Sequence, residues 1–86
     1  MQITISEQVL FREVGNEGVI LSLEDGHYFG LDETGTRIWK LLQSEQDLDA
    51  IAEHLVSEYD VTAERVRRDI EKFIDELVAA RLISIS

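Results

Sequence analysis

The sequence predicts an α+β fold in which a three-stranded antiparallel sheet precedes three helices. Three observations carry this prediction. Residues 9–31 alternate with a period of two, as half-buried strands do. After Leu31 the apolar positions recur at about every 3.6 residues, the helical spacing. Glycine-bearing clusters separate the strand-like runs and are sparse beyond them.

The first predicted strand is VLFREV, starting at Val9. Gly15-Asn16-Glu17-Gly18 forms a turn cluster before the second, GVILSLE, in which Val19, Leu21 and Leu23 alternate with Ile20 and Ser22. Asp25-Gly26 signals a tight hairpin, because both residue types tolerate positive φ. The third strand spans residues 27–31, with Phe29 and Leu31 on one face. Asp32 is positioned to cap a first helix with apolar positions Ile38, Trp39, Leu41 and Leu42. Ser44 opens a break, and Ser44 with Asp47 forms a weak capping box for a second helix. That helix carries Leu48, Ile51, Ala52, Leu55 and Val56 on one stripe. Thr62 caps a third helix, and Leu82-Ile83-Ser84-Ile85 has the pattern of a short closing strand.

On the third helix, a rotation of about 100° per residue gathers Val66, Ile70, Phe73 and Leu77 into a core sector. Ile74 and Val78 widen the stripe on one flank, beside Arg67 and Glu71. A stripe widened in this way fits either deeper burial or an exposed groove edge awaiting a partner.

The chain of 86 residues fits a single domain over residues 1–86. It has no cysteine, which excludes disulfides and thiolate metal sites. The N-terminal residues lack the basic region and long apolar run of a secretion signal, and no stretch approaches a membrane span of about 20 residues. The expected location is the cytoplasm. Eighteen acidic residues against eight basic ones give a net charge of −10, which repels phosphate backbones. Only residues 61–86, with five charges of each sign, would not repel an anionic partner at short range.

Catalytic chemistry is sparse. His54 and Glu58 are spaced for two metal ligands on a helix, but no third ligand accompanies them, and a solvated helical pair explains them. There is no glycine-rich phosphate loop, and no serine has an evident base partner. The expectation is a non-enzyme without cofactor or metal. Three helices with strands are also the parts of a winged helix, and Arg65, Arg67, Arg68 and Lys72 lie on the third helix as on a DNA reader. Opposite charges stand at i, i+4 in Glu64–Arg68, Arg65–Asp69, Arg67–Glu71 and Lys72–Glu76, so these cations are locally compensated. An acidic DNA-binding or anti-repressor winged helix remains the alternative, together with a homodimerisation module that pairs the third strand with itself.

Phe29, Leu31, Asp32, Gly35, Ile38 and Trp39 stand in an order and spacing that resemble the PqqD-like family. Val66, Asp69-Ile70, Phe73-Ile74, Glu76-Leu77 and Leu82-Ile83 extend the resemblance from about Val9 to Ile85. Asp32 replaces the commoner Asn, which leaves helix capping intact. The resemblance implies a winged helix-turn-helix fold and the role of a recognition element for precursor peptides of ribosomally made, modified products. The wording is most similar to stand-alone members of lasso-peptide pathways. The implied partners are a precursor leader peptide and a transglutaminase-like leader peptidase or another modifying enzyme, with no nucleic acid and no membrane.

Physical chemistry supplies a route for such binding. An edge strand at residues 27–31 offers unpaired N–H and C=O groups to an incoming antiparallel strand. The expected site comprises His27, Tyr28, Phe29, Gly30 and Leu31, with Arg67, Ile70, Glu71, Ile74 and Val78 of the third helix as the groove wall. Arg67 is expected to pair with a leader acid. Ordering a flexible leader costs free energy, so moderate affinity is expected. Against this stand simpler roles: Tyr28 and Phe29 as sheet packing, Trp39 as core, Gly30 as a point of close backbone approach and Gly35 as tight helix packing.

Overall fold

The computed structural model describes residues 3–44 and 47–85. The elements run β1 (Ile3–Ile5), β2 (Val9–Val14), β3 (Glu17–Ser22), β4 (Tyr28–Leu31), α1 (Glu33–Ser44), α2 (Leu48–Glu58), α3 (Ala63–Ala79) and β5 (Ile83–Ile85). The three predicted strands are β2, β3 and β4. They form one antiparallel sheet with β3 at its centre.

Gly15 and Gly26 hold φ of 64° and 75°, which is why the two hairpins turn at these glycines. Val14 pairs with Glu17 across the first turn, leaving a two-residue loop. The second turn is looser: Ser22 N–H donates to the His27 carbonyl at 2.9 Å, and Gly26 N–H donates to the Ser22 carbonyl at 2.8 Å.

The closing strand β5 exists, and its partner is β1, paired as Ile3–Ile85, Thr4–Ser84 and Ile5–Ile83. This two-stranded sheet ties the N-terminal strand to the chain's last strand, burying Ile3 and Ile83 with Leu82. A run of three residues is too short to show its partner through periodicity, so β1 goes unpredicted.

Each helix start has a visible cause. Gly35 N–H donates to Asp32 Oδ1 at 2.7 Å, and Arg65 N–H donates to Thr62 Oγ1 at 3.2 Å. The second helix departs from expectation. Its cap is Asp47, which accepts from Asp49 N–H at 3.0 Å. Ser44 instead ends α1, with its hydroxyl 3.4 Å from the Leu41 carbonyl that it donates to. Residues 45 and 46 lie outside the described residues.

The core sits between the sheet's inner face and the helices. Trp39 is fully buried with Ile38, Leu41 and Leu42 of α1, in one cluster with Ile20 and Leu31 of the sheet. The rings of Phe11 and Trp39 lie 6.2 Å apart at a tilt of 38°. Gly18 is forced by this packing. A Cβ there would stand 2.5 Å from the Phe11 ring. Gly18→Ala is therefore expected to lower unfolding free energy by about 1–3 kcal/mol, read by urea denaturation.

A second tie holds α1 against α2. Arg37 Nε donates to Glu58 Oε2 at 2.9 Å, and Arg37 Nη2 donates to Glu58 Oε1. The guanidinium bond holds the Glu58 carboxyl below its ordinary value of 4.5. A carboxyl lowered in the folded state adds stability above its unfolded value, and that stability fades as pH falls through the folded value. Glu58→Gln is expected to leave neutral stability slightly reduced and to flatten the acid limb below 4.5, measured by thermal unfolding across pH. An unchanged acid limb would show that the pair contributes nothing.

Candidate functional site

The site is built around β4. This strand pairs with β3 alone, so its second edge is open. Hydrogen-bond parity identifies which groups face outward. Ser22 and His27 form a bonded pair across the hairpin. Antiparallel ladders alternate bonded and non-bonded pairs, and the register sets Phe29 opposite Ile20 and Leu31 opposite Gly18. Phe29 and Leu31 therefore bond to β3, whereas Tyr28 and Gly30 point their N–H and C=O groups away from it.

Side chains follow the complementary alternation. Leu31 is buried and Phe29 half-buried on the inner face. Tyr28 lies on the outer face at 74% exposure. Nothing stands within 4 Å of where a Gly30 Cβ would be, so this glycine leaves open space rather than a close contact within the chain. Gly35 behaves as expected of tight packing: a Cβ there would lie 3.2 Å from Asp32 Oδ1 and 3.5 Å from the Phe73 ring.

A groove runs beside this edge. Near the start of β4 it encloses about 420 Å³, between Asp25, His27, Tyr28 and Phe29 on one side and Ala79, Ala80, Arg81 and Leu82 on the other. A separate, more polar hollow of about 300 Å³ lies beyond Leu31, between the start of α1 and Asp69, Lys72, Phe73 and Glu76 of α3. The α3 residues lining the two hollows are at positions 69, 72, 73, 76 and 79, one helical stripe.

This is the opposite flank of α3 from the one expected. Arg67 Nη1 donates to Asp49 Oδ1 of α2 at 2.7 Å, so its flank faces α2. Glu71 and Val78 fall on the same flank by helical rotation, and Val78 is 40% exposed there. Ile70 and Ile74 are core residues, Ile74 being only 3% exposed, while Phe73 is half-buried at the groove. The widened stripe thus reflects burial against α2. The structure brings His27, Tyr28 and Phe29 to the groove, and it places Arg67, Glu71 and Val78 away from it. Phe73, Glu76, Ala79, Ala80 and Arg81 were not anticipated. The half-buried aromatic at the stripe's other margin was the available signal.

Two of the four anticipated i, i+4 ion pairs are present, Arg65–Asp69 at 3.7 Å and Arg68–Glu64 at 3.3 Å. Arg67 reaches Asp49 instead of Glu71. Asp25 is held below the usual carboxylate range, chiefly by the hydrogen bond from His27 N–H. Among the described residues, no group of three or more His, Cys, Asp or Glu side chains is placed to hold a metal ion, and no helix is long and apolar enough to cross a membrane.

The architecture is that of a small winged helix-turn-helix domain with an open sheet edge. The model of the family described as coenzyme PQQ synthesis protein D (PqqD) matches residues 17–83, and the chain belongs to this family. Among solved structures it is similar to TbiB1 in complex with the TbiA(beta) leader peptide, with 35% identity, a TM-score of 0.91 and 95% of each chain covered. It also shares its fold with lasso peptide synthetase B1 complexed with the leader peptide, at 21% identity, a TM-score of 0.89, and coverage of 99% of this chain and 100% of that one. Among curated proteins, none matches the chain.

Placing Ile74 in the core sets a clear expectation. Ile74→Asp would bury an unpaired carboxylate among apolar neighbours, at a cost of about 4 kcal/mol or more. Loss of the cooperative unfolding transition by circular dichroism is the expected result. A folded, stable variant would return Ile74 to the groove surface.

Proposed function

We propose that this protein is a non-catalytic recognition element that binds the leader segment of a ribosomal precursor peptide and presents it to a processing enzyme. The open β4 edge, with Tyr28 and Gly30 offering unpaired main-chain groups beside an apolar wall, carries the reading. The 35% identical neighbour, solved with a leader peptide, supports it.

In this mechanism the leader adds as an antiparallel strand along His27, Tyr28, Phe29, Gly30 and Leu31. Main-chain bonds to Tyr28 and Gly30 supply sequence-tolerant affinity. Leader side chains at alternate positions turn toward α3, one near Phe29 with Ala79 and Ala80, the other near Phe73. Ile70 and Ile74 support this wall from beneath, whereas Arg67, Glu71 and Val78 take no direct part. Gly30 leaves room on the outer face for a leader side chain opposite it. The enzyme that receives the leader is a transglutaminase-like peptidase or another modifying enzyme of a lasso-peptide pathway, and the protein works in the cytoplasm.

Proline substitutions test strand addition directly, because hydrogen-bond parity separates their effects. Tyr28→Pro removes an outward N–H and puts a ring on the open edge. It should keep the fold and weaken binding of a fluorescent leader-like peptide by at least tenfold. Phe29→Pro removes a ladder bond to β3 and should lower stability by about 3 kcal/mol. A folded Tyr28→Pro variant that binds normally would refute strand addition, and a chain that answers only to a duplex DNA control would replace the whole reading.

A further inference from the structure

Among the described residues, Arg81 is the only one other than glycine with positive φ, at 62°. Its position explains the conformation. Leu82 N–H donates to the Leu77 carbonyl and Arg81 N–H to the Val78 carbonyl, both at 3.0 Å, and Leu82 and Leu77 are both buried. This is a Schellman close to α3, with Arg81 at the site where glycine is favoured because a Cβ is penalised there. The two hydrogen bonds of the helix close offset that penalty, and neither involves the Arg81 side chain. The Arg81 side chain is 82% exposed, and its one ion pair, to Glu24, is 3.9 Å long.

The strained residue stands where the β4 edge runs out of donors. Tyr28 supplies the last outward N–H toward the turn. The N–H of His27 is already given to Asp25 Oδ1 at 3.1 Å, and its carbonyl accepts from Ser22. A strand added to β4 and continuing past Tyr28 meets no further main-chain donor. Arg81 lines the groove at this end, reaching from the end of α3 toward Glu24 in the opposite turn.

We propose that Arg81 is a position- and specificity-determining residue, whose guanidinium N–H groups donate to an oxygen acceptor of the bound peptide where that peptide leaves β4. The proposal rests on the strand-addition reading. A five-donor planar fork suits this task, since it can bond one or two oxygens while its Cα stays fixed in the helix close. The acceptor is either a main-chain carbonyl or a carboxylate side chain of the leader. The helix close fixes the Arg81 backbone, and its exposed side chain lines the groove where an added strand would leave β4.

The test sets stability against binding in Arg81→Gly and Arg81→Ala, using a synthetic leader-like peptide with one aromatic, several aliphatic and several acidic residues. Arg81→Gly should raise the melting temperature by about 4 °C and weaken peptide binding about tenfold. Arg81→Ala should weaken binding equally with no rise in melting temperature, which separates loss of the contact from loosening of the helix close. Unchanged affinity in both variants, or no thermal gain from glycine, overturns the proposal. A peptide whose carboxylates are replaced by amides distinguishes the acceptors. If the Arg81→Gly loss disappears, the acceptor is a carboxylate; if it persists, the acceptor is a carbonyl. A wild-type chain that binds no leader-like peptide overturns strand addition itself, and this assignment with it.

Discussion

The burial of Trp39 beneath the sheet fixes everything that happens at the β4 edge. The indole sits fully buried in one cluster with Ile20 and Leu31, with the Phe11 ring tilted against it. Side chains on a strand alternate with a period of two, so a slip of one residue would turn Phe29 and Leu31 out to solvent. The core therefore dictates the register of β4 on β3. Register in turn dictates hydrogen-bond parity, and parity makes Tyr28 and Gly30 the residues whose main-chain groups face outward. A packing constraint thus becomes a chemical one without any specialised side chain.

Charge shapes what can approach that edge. The net −10 is not neutralised by local pairing, because the cations are largely used internally. Arg37 ties α1 to Glu58, Lys40 reaches Glu13 of β2 at 3.0 Å, and Arg67 reaches Asp49 of α2. Of the four α3 cations that gave the helix the look of a DNA reader, Arg68, Arg65 and Arg67 are engaged with Glu64, Asp69 and Asp49. Each such pair is exposed and contributes little to stability. Their consequence is that most of the positive charge along α3 is compensated locally.

Most of the fold was legible because several signals agreed at each element. Residues 9–31 combined alternation with glycine turns, and Thr62 and Asp32 are both capping residues placed just before helical periodicity begins. The β1–β5 pair was hidden because strands of three residues carry no periodic signal and their partner lies at the other end of the chain. The open edge of β4 was legible for a similar reason: the strand follows a tight hairpin and ends a meander. The α3 wall was not. Helical rotation shows that Ile74 and Val78 widen the stripe, but it does not say which neighbour covers the added width. Here α2 covers it and buries Ile74, and the groove opens on the side of Phe73.

The sheet has two edges, and the geometry favours one of them for a peptide. β2 is also paired on one side only. It carries Arg12 and Glu13 in sequence, and charged side chains are a usual means of discouraging strand addition. Glu13 is further held by Lys40, and the hollow near this edge is mostly polar, with Glu13, Glu33, Arg37 and Lys40 beside the single aromatic Tyr59. β4 differs on each count. Its four residues are uncharged, Gly30 clears space at the outer face, and α3 stands alongside with Phe73, Ala79 and Ala80. Main-chain bonding alone would recruit any extended segment to either edge. On the strand-addition reading, an apolar helix wall beside only one of them would turn strand pairing into recognition, because affinity would then depend on which side chains the added strand directs toward that wall.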